Sequence, residues 1–321
     1  MSFRPVFSKG ETMKREFYYL SRDGKTKIHA IEWKPAGKVR GVVQLCHGMV
    51  EYIDRYNDFA EFLSLNGYYV VGHDHLGHGK SILNTEQLGF FHENQGNEFV
   101  IGDMHQLRVQ TEEKYPSVPY FMMGHSMGSF LVRQYLGFYG AGLSGAIIMG
   151  TGNQPNILLH AGKLVCRLTA LFKGWKCRSA LVDSMAAGGY NKEFERETDG
   201  SNWLSRNPEN VTKYKNDLLC GYMFTVNAYY HMFSGMIKMN QQEKAGRIPR
   251  GLSIAIVSGK DDPVGDFGRG VRAVYKKYRQ TGITDVKMRL YEEDRHEILN
   301  ELDRESVYCD LLMWLNKRCN P

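Results

Sequence analysis

The sequence predicts an α/β protein: a mostly parallel sheet of eight strands, helices on both faces, and a helical insertion after the sixth strand. Three observations predict it. Short apolar runs such as "VRGVVQLCHG", "PYFMMG" and "SGAIIMG" read as strands covered on both faces. Segments with apolar residues at helical spacing alternate with them, the pattern of crossover helices over a parallel sheet. The alternation lapses between about residues 152 and 247, then resumes, which marks an insertion.

Taken in order, "REFYYLSRDGKTKIHAIEWKP" reads as a β-hairpin with Asp23-Gly24 in its turn. "VRGVVQLCHG" is the third strand and ends at Gly48. Residues 55–66 carry Tyr56, Phe59, Phe62, Leu63 and Leu65 at helical spacing, and Gly67 closes that helix. "YYVVGHDH" is a strand, 97–114 a helix ending before Pro116, "PYFMMG" a strand, "SMGSFLVRQYLGFYG" a helical stretch and "SGAIIMG" the sixth strand. Beyond the insertion come the strand "GLSIAIVSG", a helix over 268–280, the strand "DVKMRLYE" and a closing amphipathic helix over 298–318. Residues 1–151 and 248–321 therefore form one core, and 152–247 a helical lid at the carboxyl edge of the sheet.

Composition is ordinary for a globular chain, and a formal charge of +6 over 321 residues does not call for a nucleic-acid partner. The N-terminus, "MSFRPVFSKGETMKREF", lacks the apolar core of a secretory signal. No apolar run approaches a membrane span. The six cysteines are scattered without paired spacing and read as free thiols in a reducing cytosol.

The chemistry concentrates in "MMGHSMGSF", where Gly124-His125-Ser126-Met127-Gly128 sits between a strand and a helix. That context suits a sharp turn that presents Ser126 as a nucleophile, with glycines where strand and helix cross. A serine needs a base. "RLYEEDRHEILNE" puts His296 just after the last strand, and "IVSGKDDPVGD" puts Asp261 and Asp262 after the one before. The order serine, aspartate, histidine fits the fold. Asp262 is chosen as the acid that orients His296, because Pro263 suits the turn beyond the strand end. The oxyanion donors are the N–H of Met127, after the nucleophile, and that of Met49, where His47-Gly48 turns the chain.

A rival reading lies in "GHDHLGHGKS", where His73, Asp74, His75 and His78 give H-x-H-x-x-H. It is similar to a dizinc hydrolase motif, but Gly77 stands where that motif has Asp. The alternative is a loop below the pocket held by its own hydrogen bonds.

Together "HGMVEYIDRY", "GHDHLGHGKS", "GHSMGS", "SGKDDPVGD" and "RHEILNE" carry a resemblance over residues 47–301. The chain resembles the α/β-hydrolases of the monoacylglycerol lipase and lysophospholipase type, often labelled serine aminopeptidase-like. The resemblance implies the α/β-hydrolase fold. It implies a triad of Ser126, Asp262 and His296, and oxyanion donors at Met49 and Met127. It implies ester hydrolysis on a small acyl-ester substrate with no metal or organic cofactor. Glu51-Tyr52 departs from the family's frequent Glu-His, and Leu76 stands where arginine is common. Acyl transfer or amide cleavage on the same fold, a non-catalytic binder and a zinc hydrolase are the alternatives.

Two stretches of the insertion bear on the substrate. "YMFTVNAYYHMFSGMIKM", 222–239, is rich in methionine and aromatics and reads as an acyl-pocket lining, as the lid's own core, or both. In 162–178, Leu164, Val165, Leu168, Leu171, Phe172 and Trp175 follow helical spacing. Lys163, Arg167, Lys173, Lys176 and Arg178 are basic, with no acid among them. It reads either as a helix packed on the body with a solvated basic face, or as an interfacial helix. The latter would give peripheral membrane contact through the lid, on anionic lipid.

Overall fold

A computed structural model describes residues 12–194 and 200–319. The N-terminal stretch read above for a targeting signal lies, up to residue 11, outside the described residues. The eight strands are β1 Met13–Leu20, β2 Lys27–Lys34, β3 Gly41–Cys46, β4 Tyr68–His73, β5 Tyr120–His125, β6 Gly145–Met149, β7 Ser253–Gly259 and β8 Val286–Tyr291. They form one sheet in the order β1-β2-β4-β3-β5-β6-β7-β8. β1 and β2 pair antiparallel, as does β2 with β4; every other pairing is parallel.

The period of two along each strand splits the core into two layers. Val43, Leu45, Val70, Phe121 and Met123 face α1 (Asn57–Leu65) and α9 (Arg304–Cys319). Val42, Tyr69, Val71, Tyr120 and Met122 face the layer that includes α2 (Gly96–Lys114), α3 (Met127–Tyr139) and α8 (Arg269–Gln280). Each buried side chain of this kind contributes roughly 1.5–3 kcal/mol. Both faces are covered, which is why the strands read as continuous apolar runs.

Between β6 and β7 lie α4 (Asn156–Lys173), α5 (Ala180–Ala187), α6 (Pro208–Asn216) and α7 (Val226–Lys244). α7 packs along α3 as well as α4, so its later turns belong to the body's helical layer. There Glu243, on α7, accepts Arg133 of α3 at 2.8 Å and the hydroxyl of Tyr278 of α8 at 2.7 Å, all buried. The closing helix begins later than its periodicity predicts, at Arg304 rather than 298. The reason is Glu301. Its carboxylate accepts the N–H groups of Arg295 and Arg206 at 3.0 Å, which holds the preceding stretch in an irregular turn. Among the described residues no helix is long and apolar enough to cross a membrane.

Candidate active site

β5 delivers the chain into a turn so tight that Ser126 takes φ 54° and ψ −121°. A side chain there costs on the order of 1–3 kcal/mol of backbone strain. The surroundings enforce it. Ser126 N–H donates to the Met149 carbonyl at 3.0 Å, and α3 starts at Met127. A Cβ at Gly124 would lie 2.2 Å from the Gly128 carbonyl oxygen, and one at Gly128 only 2.1 Å from that of Cys46. Any larger residue would push helix and strand apart. Met127, as the first residue of α3, has an N–H with no partner one turn upstream within the helix.

His296 and Asp262 come from the loops after β8 and β7. The Nδ1 of His296 donates to both oxygens of Asp262 at 3.0 Å, and both residues are buried. Asp262 also accepts the N–H of Val264 at 2.9 Å and the hydroxyl of Ser258 at 3.0 Å. Burial alone would raise its carboxyl. The imidazole and these donors outweigh burial and hold it below the usual carboxylate range. Asp261 stands beside it, partly exposed, its N–H donating to the Asp294 carbonyl at 2.9 Å.

Ser126, Met127, Met49 and His296 line one cavity of about 190 Å³. A dry cavity of about 150 Å³ is known to hold benzene, so this space as it stands takes a short apolar group. Its walls are pliable: Met185, Met232 and Met236 line it beside Phe130, Leu159 and Phe233. The 222–239 stretch is divided between cavity wall and core. Met232, Phe233 and Met236 line the cavity, while Tyr229, Ile237 and Met239 are buried in the core. At the cavity edge Gly48 N–H donates to Glu51 Oε1 at 2.5 Å, which folds the loop over Ser126; a Cβ on Gly48 would lie 3.1 Å from Ser126 Cβ.

The family described as "Serine aminopeptidase, S33" matches residues 37–303. The chain belongs to that family. Within it the hydrolase is similar to the monoglyceride lipase of Rattus norvegicus, at 25% identity over 89% of this chain and 86% of that one. It is 27% identical to the monoacylglycerol lipase of Mycolicibacterium smegmatis, over 91% of this chain and 94% of that protein. Among solved structures it is similar to a thermostable carboxyl esterase from Bacillus coagulans, with TM-score 0.88, 30% identity, and 95% and 99% of the two chains covered. The Saccharomyces cerevisiae monoglyceride lipase structure matches at TM-score 0.73 and 20% identity over 99% and 96% of the two chains, and shows the shared fold. The protein is an α/β-hydrolase of the monoacylglycerol lipase branch and, as such, a carboxylic ester hydrolase.

In this hydrolase the insertion helps to hold the loop that carries His296. His296 N–H donates to the Trp203 carbonyl at 3.4 Å and Glu297 N–H to that of Leu204 at 2.7 Å. The Trp203 ring lies over the His296 ring, centroids 5.1 Å apart. Arg206, three residues after Trp203, reaches Asp294, Glu293 and Asp303 at 2.5–3.1 Å. Nothing in the sequence flagged Trp203 or Arg206, because their partners lie about 90 positions away.

The histidine cluster is a packed set of rings under the loop that follows β3. His75 N–H donates to His47 Nε2 at 2.9 Å, and His47 Nδ1 donates to the Gly48 carbonyl at 2.8 Å. His73, His75 and His78 are buried with it. Asp74 is committed elsewhere, to the His29 ring and the N–H groups of Ile53 and Lys80, each at 2.8 Å. Among the described residues no group of three or more His, Cys, Asp or Glu side chains is arranged to hold a metal ion. Burial pushes these imidazoles down, His73 and His78 to about 3, so all three are neutral.

Proposed function

We propose that this hydrolase cleaves carboxylic esters of single-chain lipids, of the monoacylglycerol or lysophospholipid type, through an acyl-enzyme on Ser126. The observation that carries the reading is the bond from His296 to buried Asp262 at the wall of the cavity that holds Ser126. His296 takes the Ser126 hydroxyl proton as Oγ attacks the ester carbonyl. Asp262 stays ionised and holds the imidazole's tautomer and charge. The N–H groups of Met49 and Met127 receive the oxyanion. His296 then returns the proton to the leaving alcohol, and water, deprotonated by the same base, cleaves the acyl-enzyme. The apolar, methionine-rich lining favours an acyl chain, and the named activities of the rat and mycobacterial relatives favour a monoacylglycerol.

The test is initial rates on p-nitrophenyl esters of increasing acyl length for wild type and Ser126→Ala. Loss of turnover by several orders of magnitude in the variant is expected; equal activity would move the chemistry off Ser126.

The same reading places the protein at a lipid surface in the cytosol. On α4 and α5 the apolar side chains themselves face outward: Phe172 is 82% exposed, Ile157 77% and Leu171 76%, with Leu158, Leu164 and Leu181 beside them. Only Leu159, Gly162 and Cys166 of α4 are buried. Such a patch on one face suits an acyl boundary. Lys173 and Lys176 at its end suit anionic lipid, while Arg178 is tied to the Leu88 and Met223 carbonyls. The six unpaired cysteines suit a reducing compartment. Flotation with anionic vesicles at low salt tests the docking; protein that stays at the bottom of the gradient refutes it.

A further inference from the structure

A buried charge network stands behind the base. Glu51 Oε1 accepts Gly48 N–H at 2.5 Å and the Tyr56 hydroxyl at 2.8 Å, and its Oε2 accepts Arg55 Nη1 at 2.5 Å. Arg55 also grips Glu297, the residue after the base, with bonds of 2.8 and 2.7 Å. His125, the residue before the nucleophile, closes the circuit. Its Nδ1 lies 2.9 Å from the Tyr56 hydroxyl and its Nε2 lies 3.1 Å from the His296 carbonyl oxygen.

The protons of this circuit can be counted. Burial opposes ionisation of Glu51, but Arg55 and the neighbouring imidazoles prevail and keep its carboxyl far below the usual range. It therefore has no proton to give. Tyr56 is buried and beside that charge, which holds its phenol well above its ordinary value, so it keeps its single proton. That proton goes to Glu51. The Tyr56 oxygen can then meet His125 Nδ1 only as an acceptor. The His296 carbonyl is an acceptor by nature. Both nitrogens of His125 must donate, and an imidazole that donates twice is an imidazolium.

We propose that His125 is a standing imidazolium that positions the catalytic base, clamping the His296 main chain to the oxyanion loop through Tyr56 and Glu51. The proposal rests on the reading of His296 as that base. With the Tyr56 proton on Glu51, a neutral His125 would satisfy one neighbour and set lone pair against lone pair at the other; were Tyr56 to donate to His125 instead, its oxygen would face Glu51 Oε1 at 2.8 Å with no proton between them. The charged and titratable groups that face it are Glu51, Arg55 and Tyr56 on the loop after β3, and Glu297 and His296 on the loop after β8; the carboxylates of Glu51 and Glu297 balance the Arg55 guanidinium and the His125 imidazolium. Burial would lower the His125 pKa, yet Glu51 outweighs it and holds the ring above its ordinary value. The two histidine rings stand 4.6 Å apart between centroids. A Cβ at Gly150 would come within 3.1 Å of the His296 ring and 3.2 Å of the His125 ring, so glycine lets the clamp close there.

The test is the ¹⁵N–¹H spectrum of the histidine side chains of the whole protein at pH 8. His125 is expected to give two protonated nitrogens there, where an ordinary histidine gives one. His29, held between Asp74 and Glu16, is expected to give a second such pair, which Glu16→Gln identifies. His125→Gln should remove the first pair, lower kcat by roughly 100-fold, as a slight misplacement of a catalytic group does, and leave KM within about twofold. A single protonated nitrogen on His125 at pH 8, or a folded His125→Gln with unchanged kcat, overturns the proposal. If that variant does not fold, Tyr56→Phe takes its place, with the same loss of kcat expected and the wild-type spectrum still decisive. Ser126→Ala should keep the His125 pair while losing turnover. A Ser126→Ala protein that stays active would sink the proposed reaction and leave the state of His125 to be read separately.

Discussion

Acid should weaken this protein through the rings beneath the loop that follows β3, and the size of their share follows from their burial. His73, His75 and His78 are neutral in the folded chain, with His73 and His78 pushed down to about 3 and His75 also well below its ordinary value. In the unfolded chain each takes a proton near pH 6.5. The unfolded state then binds more protons, so stability is full above that pH and falls as pH drops toward the folded values. Between pH 6.5 and 5 one such ring costs about 1.6 kcal/mol, and three cost about 5 kcal/mol. Asp103 and Asp294, whose carboxyls burial raises to about 7, take up protons in the folded chain over the same window and offset much of what the rings lose. The rings' own share is comparable with the whole stability of many domains, about 5–15 kcal/mol. Urea unfolding at the two pH values is the assay. With a slope of about 3 kcal/mol per molar, the three rings account for a fall of roughly 1.7 M in the midpoint, about 0.5 M each, against which the two aspartates work. His78 packs among the rings of Phe91, Phe224 and Tyr222, so His78→Phe fits the site and should take its ring's share, about 0.5 M, out of the shift between the two pH values. A His78→Phe protein whose midpoint shifts between pH 6.5 and 5 as that of wild type does would refute the reasoning.

Three further outcomes are expected. Arg133→Leu strands the buried Glu243 carboxylate, though Lys277 and Tyr278 remain beside it, and should cost about 3–5 kcal/mol in denaturant unfolding. Adding Glu243→Leu should restore most of that; no restoration would mean that the loss lies in packing. Asp262→Asn should lower kcat by roughly 10³–10⁴-fold, while Asp261→Asn, which removes no bond to His296, should stay near wild type in the same kinetic assay. Gly48→Ala would bring its methyl to 2.6 Å from Glu51 Oε1, which tips the loop beside Ser126, and kcat should fall with little change in thermal stability.

Much of this molecule could be read from its sequence because the relevant signals are local. A strand covered on both faces must be apolar throughout, so β3, β5 and β6 announce themselves. The elbow does so too, since Gly124 and Gly128 are the residues a crossing of helix and strand demands. The partners that matter most behind the site lie far apart in the chain. Glu51, Arg55, Tyr56 and Glu297 stand inside the quoted motifs, yet Arg55 meets Glu297 across 242 positions and no periodicity encodes that. The outward turn of α4 was likewise open, because helical spacing of apolar residues fixes a stripe but not what faces it. The start of α9 was misplaced because Glu301 acts on Arg206, a residue of the insertion.

The backbone bonds from Trp203 and Leu204 to His296 and Glu297 have a consequence for transplanting specificity between relatives. The insertion is not one interchangeable module. Its second portion is scaffold for the loop that carries His296, and a graft that replaces residues 200–206 also discards the struts of that loop. The portion that can be exchanged is α4 and α5, which meets the cavity beside Ser126 through Leu158, Leu159, Gly162 and Met185 and leaves those struts untouched.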